Sequence, residues 1–312
     1  MKRYDVISVG EVLIDFIPTE EQVCGGYRAA VGGAPLNVAA GVAKLGGAAA
    51  LIGRTGADPL GREIRATLRR CGVDCSLLQE DPARHTSVTL VMPRSSDLQR
   101  YIIYRDNCAD GAIDFAALPA NCLSETYLLH AGVLLNTTPD SARRMRMLLE
   151  AAHAQGALVS LDVNLRCGCW TNEDEMIRES AAMAELADII KVTEDEREKM
   201  NLPVTLYAKA DKTILITDGD RDIHAFWQDR ELVLPVRRVP VADVTGAGDA
   251  FLSAFLFCYS RFLRARTPID FTAICACTEA GMRAGCHAVQ RIGAYMSYPT
   301  YDDLFPEEGR KS

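Results

Sequence analysis

Short apolar runs alternate with amphipathic helical patterns along most of this chain, and that alternation leaves few folds open. Residues 6–9, 48–52, 127–129, 158–162, 189–192 and 213–217 read as buried strands. Helical periodicity falls between them at 34–45, 59–71, 141–154 and 174–185, with Pro35 suited to a first turn and Gly46-Gly47 and Gly72 placed to end helices. Repeated βα units imply a parallel sheet, because helical crossovers return the chain to the same side and cover both faces. A hairpin-like pair around 223–234 and two apolar helices, 250–264 and 271–288, complete the pattern. The expected fold is α/β: a three-layer α/β/α sandwich around a mostly parallel sheet, in a single domain spanning 1–312.

Two segments, 13–31 and 85–107, break the alternation. They read as strands of alternating polarity, for example Thr86-Ser87-Val88-Thr89-Leu90-Val91 and Tyr101-Ile102-Ile103-Tyr104. Gly25-Gly26 and Gly32-Gly33 are the expected flexible joints. A small sheet on glycine hinges beside a large α/β body suggests a lid; the alternative is an edge extension of the main sheet.

With 312 residues, 48% of them hydrophobic, the chain can bury a large core. No apolar run is long enough to span a bilayer, and the start reads as a strand rather than a signal peptide, so no membrane partner is expected. The formal charge of −8 argues against nucleic acid held by phosphate contacts. The eleven cysteines include no Cys-x-x-Cys pair, and the closest spacings, Cys71/Cys75, Cys167/Cys169 and Cys275/Cys277, have no histidine near them, which reads as reduced thiols in a cytoplasmic protein rather than a zinc site.

The stretch Asp-Val-Thr-Gly-Ala-Gly-Asp-Ala-Phe, residues 243–251, places two acids around a glycine-rich turn at the mouth of a buried helix. A helix start offers unpaired N–H groups and the positive end of the macrodipole, a ready anion site. Asp249 there makes sense as a base beside a phosphate. Other polar groups, Asp15, Asn37, Asn164, Arg166, Glu196, Thr217 and Gly219, recur at strand ends, where open parallel sheets bind ligands. Gly-x-x-x-x-Gly-Lys, Gly-x-Gly-x-x-Gly and Gly-x-Ser-x-Gly motifs are all missing, which removes the P-loop and dinucleotide-fold readings and weakens the hydrolase one. Phosphoryl transfer with Asp249 as general base remains.

The two long motifs VGGAPLNVAAGVAKLG (with RTGADPLG behind it) and DVTGAGDAFLSAF occur in order, supported by GEVLIDF, DVNLR and GAYMSYPT. On these the chain resembles the ribokinase-like (phosphofructokinase B) family of carbohydrate kinases over its whole length. The resemblance implies a ribokinase-like fold with a β-sheet lid. It implies Asp249 as catalytic base, with Gly246, Ala247 and Gly248 as the anion hole. Asp15, Gly33, Asn37, Arg105 and Arg166 resemble the sugar contacts, and Asn164, Lys191, Thr217 and Gly219 the nucleotide side. Glu196 resembles the acid that organises the Mg²⁺ water shell, and Asp243 falls in a loop that holds a monovalent cation in many relatives. ATP with Mg²⁺ and a small sugar are the implied ligands, K⁺ a further cation, and a homodimer through the lid the implied assembly.

Three positions depart from the family pattern. Val244 stands where Thr is usual, Thr193 replaces the Asn of Asn-x-x-Glu, and Asp222 stands where a second glycine often follows Gly219. Within the family, YRDNCAD and DVNLRCGCW resemble fructokinases most, with 2-keto-3-deoxygluconate kinases next and a non-catalytic sugar-binding relative as the rival from another class.

Overall fold

The computed structural model describes residues 1–92 and 101–306. The chain begins with β1 (Tyr4–Val9), runs out through β2 (Leu13–Pro18) and β3 (Tyr27–Gly32), and returns through α1 (Ala34–Lys44) to β4 (Ala49–Gly56). Helix α2 (Pro59–Arg70) and the short strand β5 (Leu78–Asp81) precede a second excursion through β6 (Ser87–Val91) and β7 (Tyr101–Tyr104). Alternation then resumes with β8 (Thr126–Gly132), α3 (Pro139–Ala154), β9 (Leu158–Asp162), α4 (Glu173–Leu186) and β10 (Ile189–Thr193). Two short helices, α5 (Glu194–Lys199) and α6 (Val204–Lys209), lead to β11 (Thr213–Thr217) and the hairpin β12 (Ile223–Trp227) and β13 (Arg230–Leu234). Helices α7 (Ala247–Ala265), α8 (Phe271–Ala288) and α9 (Tyr301–Leu304) close the chain.

The large sheet has the order β13-β12-β11-β10-β9-β8-β1-β4-β5. All neighbours from β5 to β11 pair in parallel, and only the terminal hairpin is antiparallel. The chain grows outward from β1 through β4 on one side and through β8 on the other. Strand order therefore reverses at β1, which opens a crevice beyond the carboxyl ends of β1 and β8. Strand residues alternate between two cores. Ile7, Val9, Leu129 and Val159 pack with α3 and α4, while Val6, Leu51 and Leu128 pack with α1, α2, α7 and α8. Both faces of the sheet are thus covered, as the continuous apolar runs require.

The small sheet runs β3-β2-β6-β7, with β2 and β6 parallel and Asp15 opposite Thr89. Residues 93–100 of the expected 85–107 lid segment lie outside the described residues. The two glycine pairs differ in role. Gly32-Gly33 sits where β3 passes into α1, whereas Gly25-Gly26 closes the β2–β3 turn, with Thr19 N–H donating to Gly26 at 2.9 Å, and joins nothing to the body.

Two other details escaped pattern reading. Strand β4 continues four residues beyond the apolar run, to Gly56, because Gly53–Gly56 pair with β5. Strand β5 itself (Leu-Gln-Glu-Asp) is too polar to announce a strand, and forms as the last strand at that edge. All eleven cysteines are free. Among the described residues no helix is long and apolar enough to cross a membrane.

Helix α7 is the element on which both the core and the crevice rely. Phe255 is fully buried, between Phe251 and Tyr259 at ring distances of 6.4 and 5.9 Å. Phe255→Ala is expected to destabilise the fold by about 3–5 kcal/mol, the usual range for an emptied aromatic site. Chemical denaturation of the two proteins measures it.

Candidate active site

Helix α7 starts at Ala247 because Gly246 takes a left-handed conformation, φ 77°, and turns the chain into the helix. A side chain at 246 would be strained at this φ, and its Cβ would lie 2.6 Å from the Tyr298 hydroxyl, which donates to the Gly246 carbonyl at 2.8 Å. At Gly248 a Cβ would approach the Lys191 ammonium to 3.1 Å. The turn is therefore bare backbone pressed against a buried cation. No side chain caps it. Ala247 N–H already donates to Val244 at 3.2 Å, so the expected anion hole rests on the amides on either side of Ala247.

Asp249, in the first turn of α7, accepts a hydrogen bond of 2.8 Å from Asn37 Nδ2 on the first turn of α1. Asn37, expected as a sugar contact, holds the carboxylate through its Nδ2. Asp249 keeps part of its surface open to the crevice, but burial and then the neighbouring Asp162 push its pKa up to about 6, while Asn37, Lys191 and Arg166 pull it down. Lys191, in the middle of β10, is almost wholly enclosed and pairs with both oxygens of Asp162 at 3.1 and 3.2 Å. Burial lowers its pKa, but the charges of Asp162, Glu196 and Asp249 outweigh that and leave it raised. Lys191 is charged, and it links the carboxylates at the ends of β9 and β10 to the α7 turn.

Asp15, on β2, faces Thr89 on β6, and burial pushes it up to about 6 against the pull of Thr89 and Arg166. Arg166 also acts on Asp249, so it stands between the small sheet and the helix turn, with its guanidinium 6.0 Å from the Tyr101 ring. Arg105 donates to Asp110 at 3.0 Å and to the Leu134 carbonyl at 2.9 Å. Asp110 in turn accepts from Ser87 on β6 at 2.6 Å. A cavity of about 710 Å³ between lid and body reaches Arg105 and Cys169.

The nucleotide-side candidates lie along the neighbouring strand ends. Asn164 takes a left-handed conformation at φ 39° just past β9, Thr217 ends β11, and Gly219 follows at φ 60°. The structure ties Lys191 directly to the Asp249 group; Thr217 and Gly219 lie two strands from β9, beyond β10.

Glu196 is the third residue of α5 and closes a capping box: its oxygens accept from Thr193 N–H at 2.8 Å and Leu165 N–H at 2.7 Å. Thr193 accepts from Glu196 N–H at 3.3 Å, so the replacement of Asn keeps a helix cap. Among the described residues no three acids, cysteines or histidines converge on a metal. Asp243 is likewise engaged, accepting from Thr245 N–H at 3.0 Å and Gly293 N–H at 3.1 Å. It shapes its loop, and a monovalent cation there would rely on main-chain carbonyls; exposed Val244 takes no part in that bonding pattern.

Three residues of the site were not singled out from sequence. Asp162 ends β9, Tyr298 braces Gly246, and Glu11 caps α1 by accepting from Ala34 N–H at 3.2 Å. All three lie within quoted motifs, Glu11 in GEVLIDF, Asp162 in DVNLR and Tyr298 in GAYMSYPT, and membership of a motif was their only signal.

The pfkB family carbohydrate kinase model matches residues 3–301. Fructokinase-1 of Oryza sativa subsp. japonica is 34% identical over 264 residues, covering 80% of this chain and 81% of that one. Fructokinase from Xylella fastidiosa, solved with bound ATP, superposes with a TM-score of 0.86 at 25% identity, covering 98% of this chain and 99% of that one. Fructokinase from Vibrio cholerae, solved with fructose, ADP and calcium, gives 0.83 at 26% identity, covering 96% and 98%.

The raised pKa of Asp249 has a thermodynamic signature. Below about pH 4 the group is protonated whether folded or unfolded; above about pH 6 it is ionised in both, and the folded state carries the cost. Asp249→Asn is therefore expected to be more stable than the parent at pH 8, with the gain shrinking from pH 6 and gone below pH 4. Thermal unfolding across that range tests it.

Proposed function

The chain belongs to the pfkB family of carbohydrate kinases, and we propose that it is an ATP-dependent fructokinase forming fructose 6-phosphate. The observation that carries this reading is the carboxylate of Asp249, held by Asn37 at the unblocked first turn of α7. An acceptor hydroxyl bonded to Asp249 loses its proton to it as the phosphoryl group arrives. A base with a pKa near 6 is ionised at neutral pH yet more basic than an ordinary carboxylate, which suits that transfer. The amides of the glycine turn and the macrodipole face the charge that grows on the phosphoryl oxygens. Lys191 holds the turn and Asp162 in register. ATP lies along the ends of β9 to β11, in reach of Asn164, Thr217 and Gly219. Glu196 is the carboxylate that would support the water shell of a Mg²⁺ bound to the ATP phosphates, where the ion would supply neutralisation of phosphate charge, and the Asp243 loop would hold a monovalent cation.

The acceptor is a neutral ketose. Arg105 is already paired with Asp110, and Arg166 faces both Asp15 and Asp249, so neither offers an uncompensated cation to a substrate carboxylate. The second reading, a sugar acid such as 2-keto-3-deoxygluconate, draws on the presence of those same two arginines.

Asp249→Asn is expected to lower turnover by about 10²–10⁴-fold, the usual worth of a positioned general base, with fructose binding largely retained. The parent's kcat should fall as pH drops below about 6, where Asp249 takes up its proton. Steady-state kinetics decide both points; turnover within a few-fold of the parent removes Asp249 from the role. Measured side by side, fructose should show a higher kcat/KM than 2-keto-3-deoxygluconate. The reverse order overturns the fructose assignment and leaves the kinase reading standing.

A further inference from the structure

Glu11 follows β1 and is 5% exposed. Gly33, the residue before α1, has no side chain to cap that helix, and Glu11 does so from across the chain through Oε1, which accepts from Ala34 N–H. That leaves Oε2 buried and, among the described residues, without a hydrogen-bond partner. A buried carboxyl oxygen with no donor is costly, and native structures seldom keep one without a ligand or water to satisfy it. Asn37, one turn into α1, repeats the feature: its Nδ2 serves Asp249 while its Oδ1 is buried and unpartnered. The Asp15 carboxylate approaches the same backbone at Gly32. Around the bare Gly32-Gly33 junction Glu11 Oε2 and Asn37 Oδ1 thus lack donors, beside an Asp15 carboxylate that the Thr89 hydroxyl already serves.

Resting on the sugar-kinase reading, we propose that Glu11 is a further sugar-contacting residue, its Oε2 accepting a hydrogen bond from an acceptor hydroxyl beside Arg105. A polyol supplies donors in the number these oxygens require, and a nucleotide phosphate supplies none. The charged and titratable groups facing Glu11 are Arg105, Asp110 and the Cys169 thiol. Burial pushes Glu11 up to about 7; Arg105 opposes the rise and Asp110 adds to it. Below that pH the group is a neutral carboxyl and a weak acceptor, and above it a carboxylate that binds a hydroxyl more strongly. Sugar affinity therefore rises with pH through about 7, whereas the kcat limb from Asp249 lies lower, near 6.

The test uses the full chain with fructose and its monodeoxy analogues. Glu11→Gln keeps an oxygen for Ala34 N–H and removes the charge, so the fold is retained. Its fructose KM is expected to rise about tenfold, the scale of one charge-assisted hydrogen bond, with the ATP KM moving less than about twofold by the same estimate. In the parent, fructose KM falls between pH 6 and 8; in Glu11→Gln the fall is smaller and confined to the low end, where Asp15 and Asp249 titrate near 6 in both proteins. One deoxy position that is costly in the parent carries no added cost in the variant. Fructose affinity by calorimetry, which needs no turnover, carries the same expectation. A parent that binds fructose without phosphorylating it refutes the kinase reading alone. Unchanged fructose affinity, pH profile and deoxy penalties in Glu11→Gln overturn the role of Glu11.

Discussion

The first turns of α1 and α7 have to meet, and most of the molecule serves that meeting. The hydrogen bond from Asn37 to Asp249 spans 212 positions of sequence. It forms because both helices lie on one face of the sheet, where Val38, Ala39 and Val42 pack in the same core as Leu252, Phe255 and Leu256. Close approach is possible because Gly41 lies directly against Ser253. A helix this apolar has nowhere to go but inside, and only its amino-terminal turn is left facing the crevice. Burial of the helix and presentation of the Asp249 carboxylate are thus one event.

Charge in the crevice is balanced rather than abundant. Lys191 is enclosed among Asp162, Glu196 and Asp249, and Arg105 is held by Asp110. Enclosing such groups costs solvation, which good geometry only partly repays. Removing one member would leave its partners buried and uncompensated. The same enclosure explains why the carboxylates near the acceptor depart from ordinary acidity: Asp15 and Asp249 are pushed up to about 6 and Glu11 to about 7, in each case mainly by burial. Stability is lower for it, and basicity higher, which is the direction a proton acceptor needs.

The lid packs Ile14 and Val31 into a body core, with Phe16 and Val88 against it, and is tied on further by polar links. Ser87 donates to Asp110, Asp110 holds Arg105, and Arg105 reaches the Leu134 carbonyl beyond β8. Arg166 stands over Tyr101 from the body side. These links run along the cavity between lid and body that reaches Arg105 and Cys169.

Much was legible in the amino-acid sequence because it depends on local spacing. Strands at 158–162 and 213–217 and the helix at 271–288 have the bounds read from pattern alone, since apolar period and punctuating glycines act over neighbouring residues. The glycine turn before Asp249 was equally readable, because left-handed φ at Gly246 is a local demand. What tertiary structure decided is every property that depends on distance in space. Strand β5 exists only because Gly53–Gly56 offer it an edge, and Gly25-Gly26 becomes a turn rather than a hinge because β2 and β3 pair through it. Asn37 holds the base, Lys191 sits under the turn, and Glu11 caps a helix it does not belong to. Spacing along a chain specifies which way each side chain faces on its own element. Which distant group it then meets, and how much water is left between them, is set only when the elements pack.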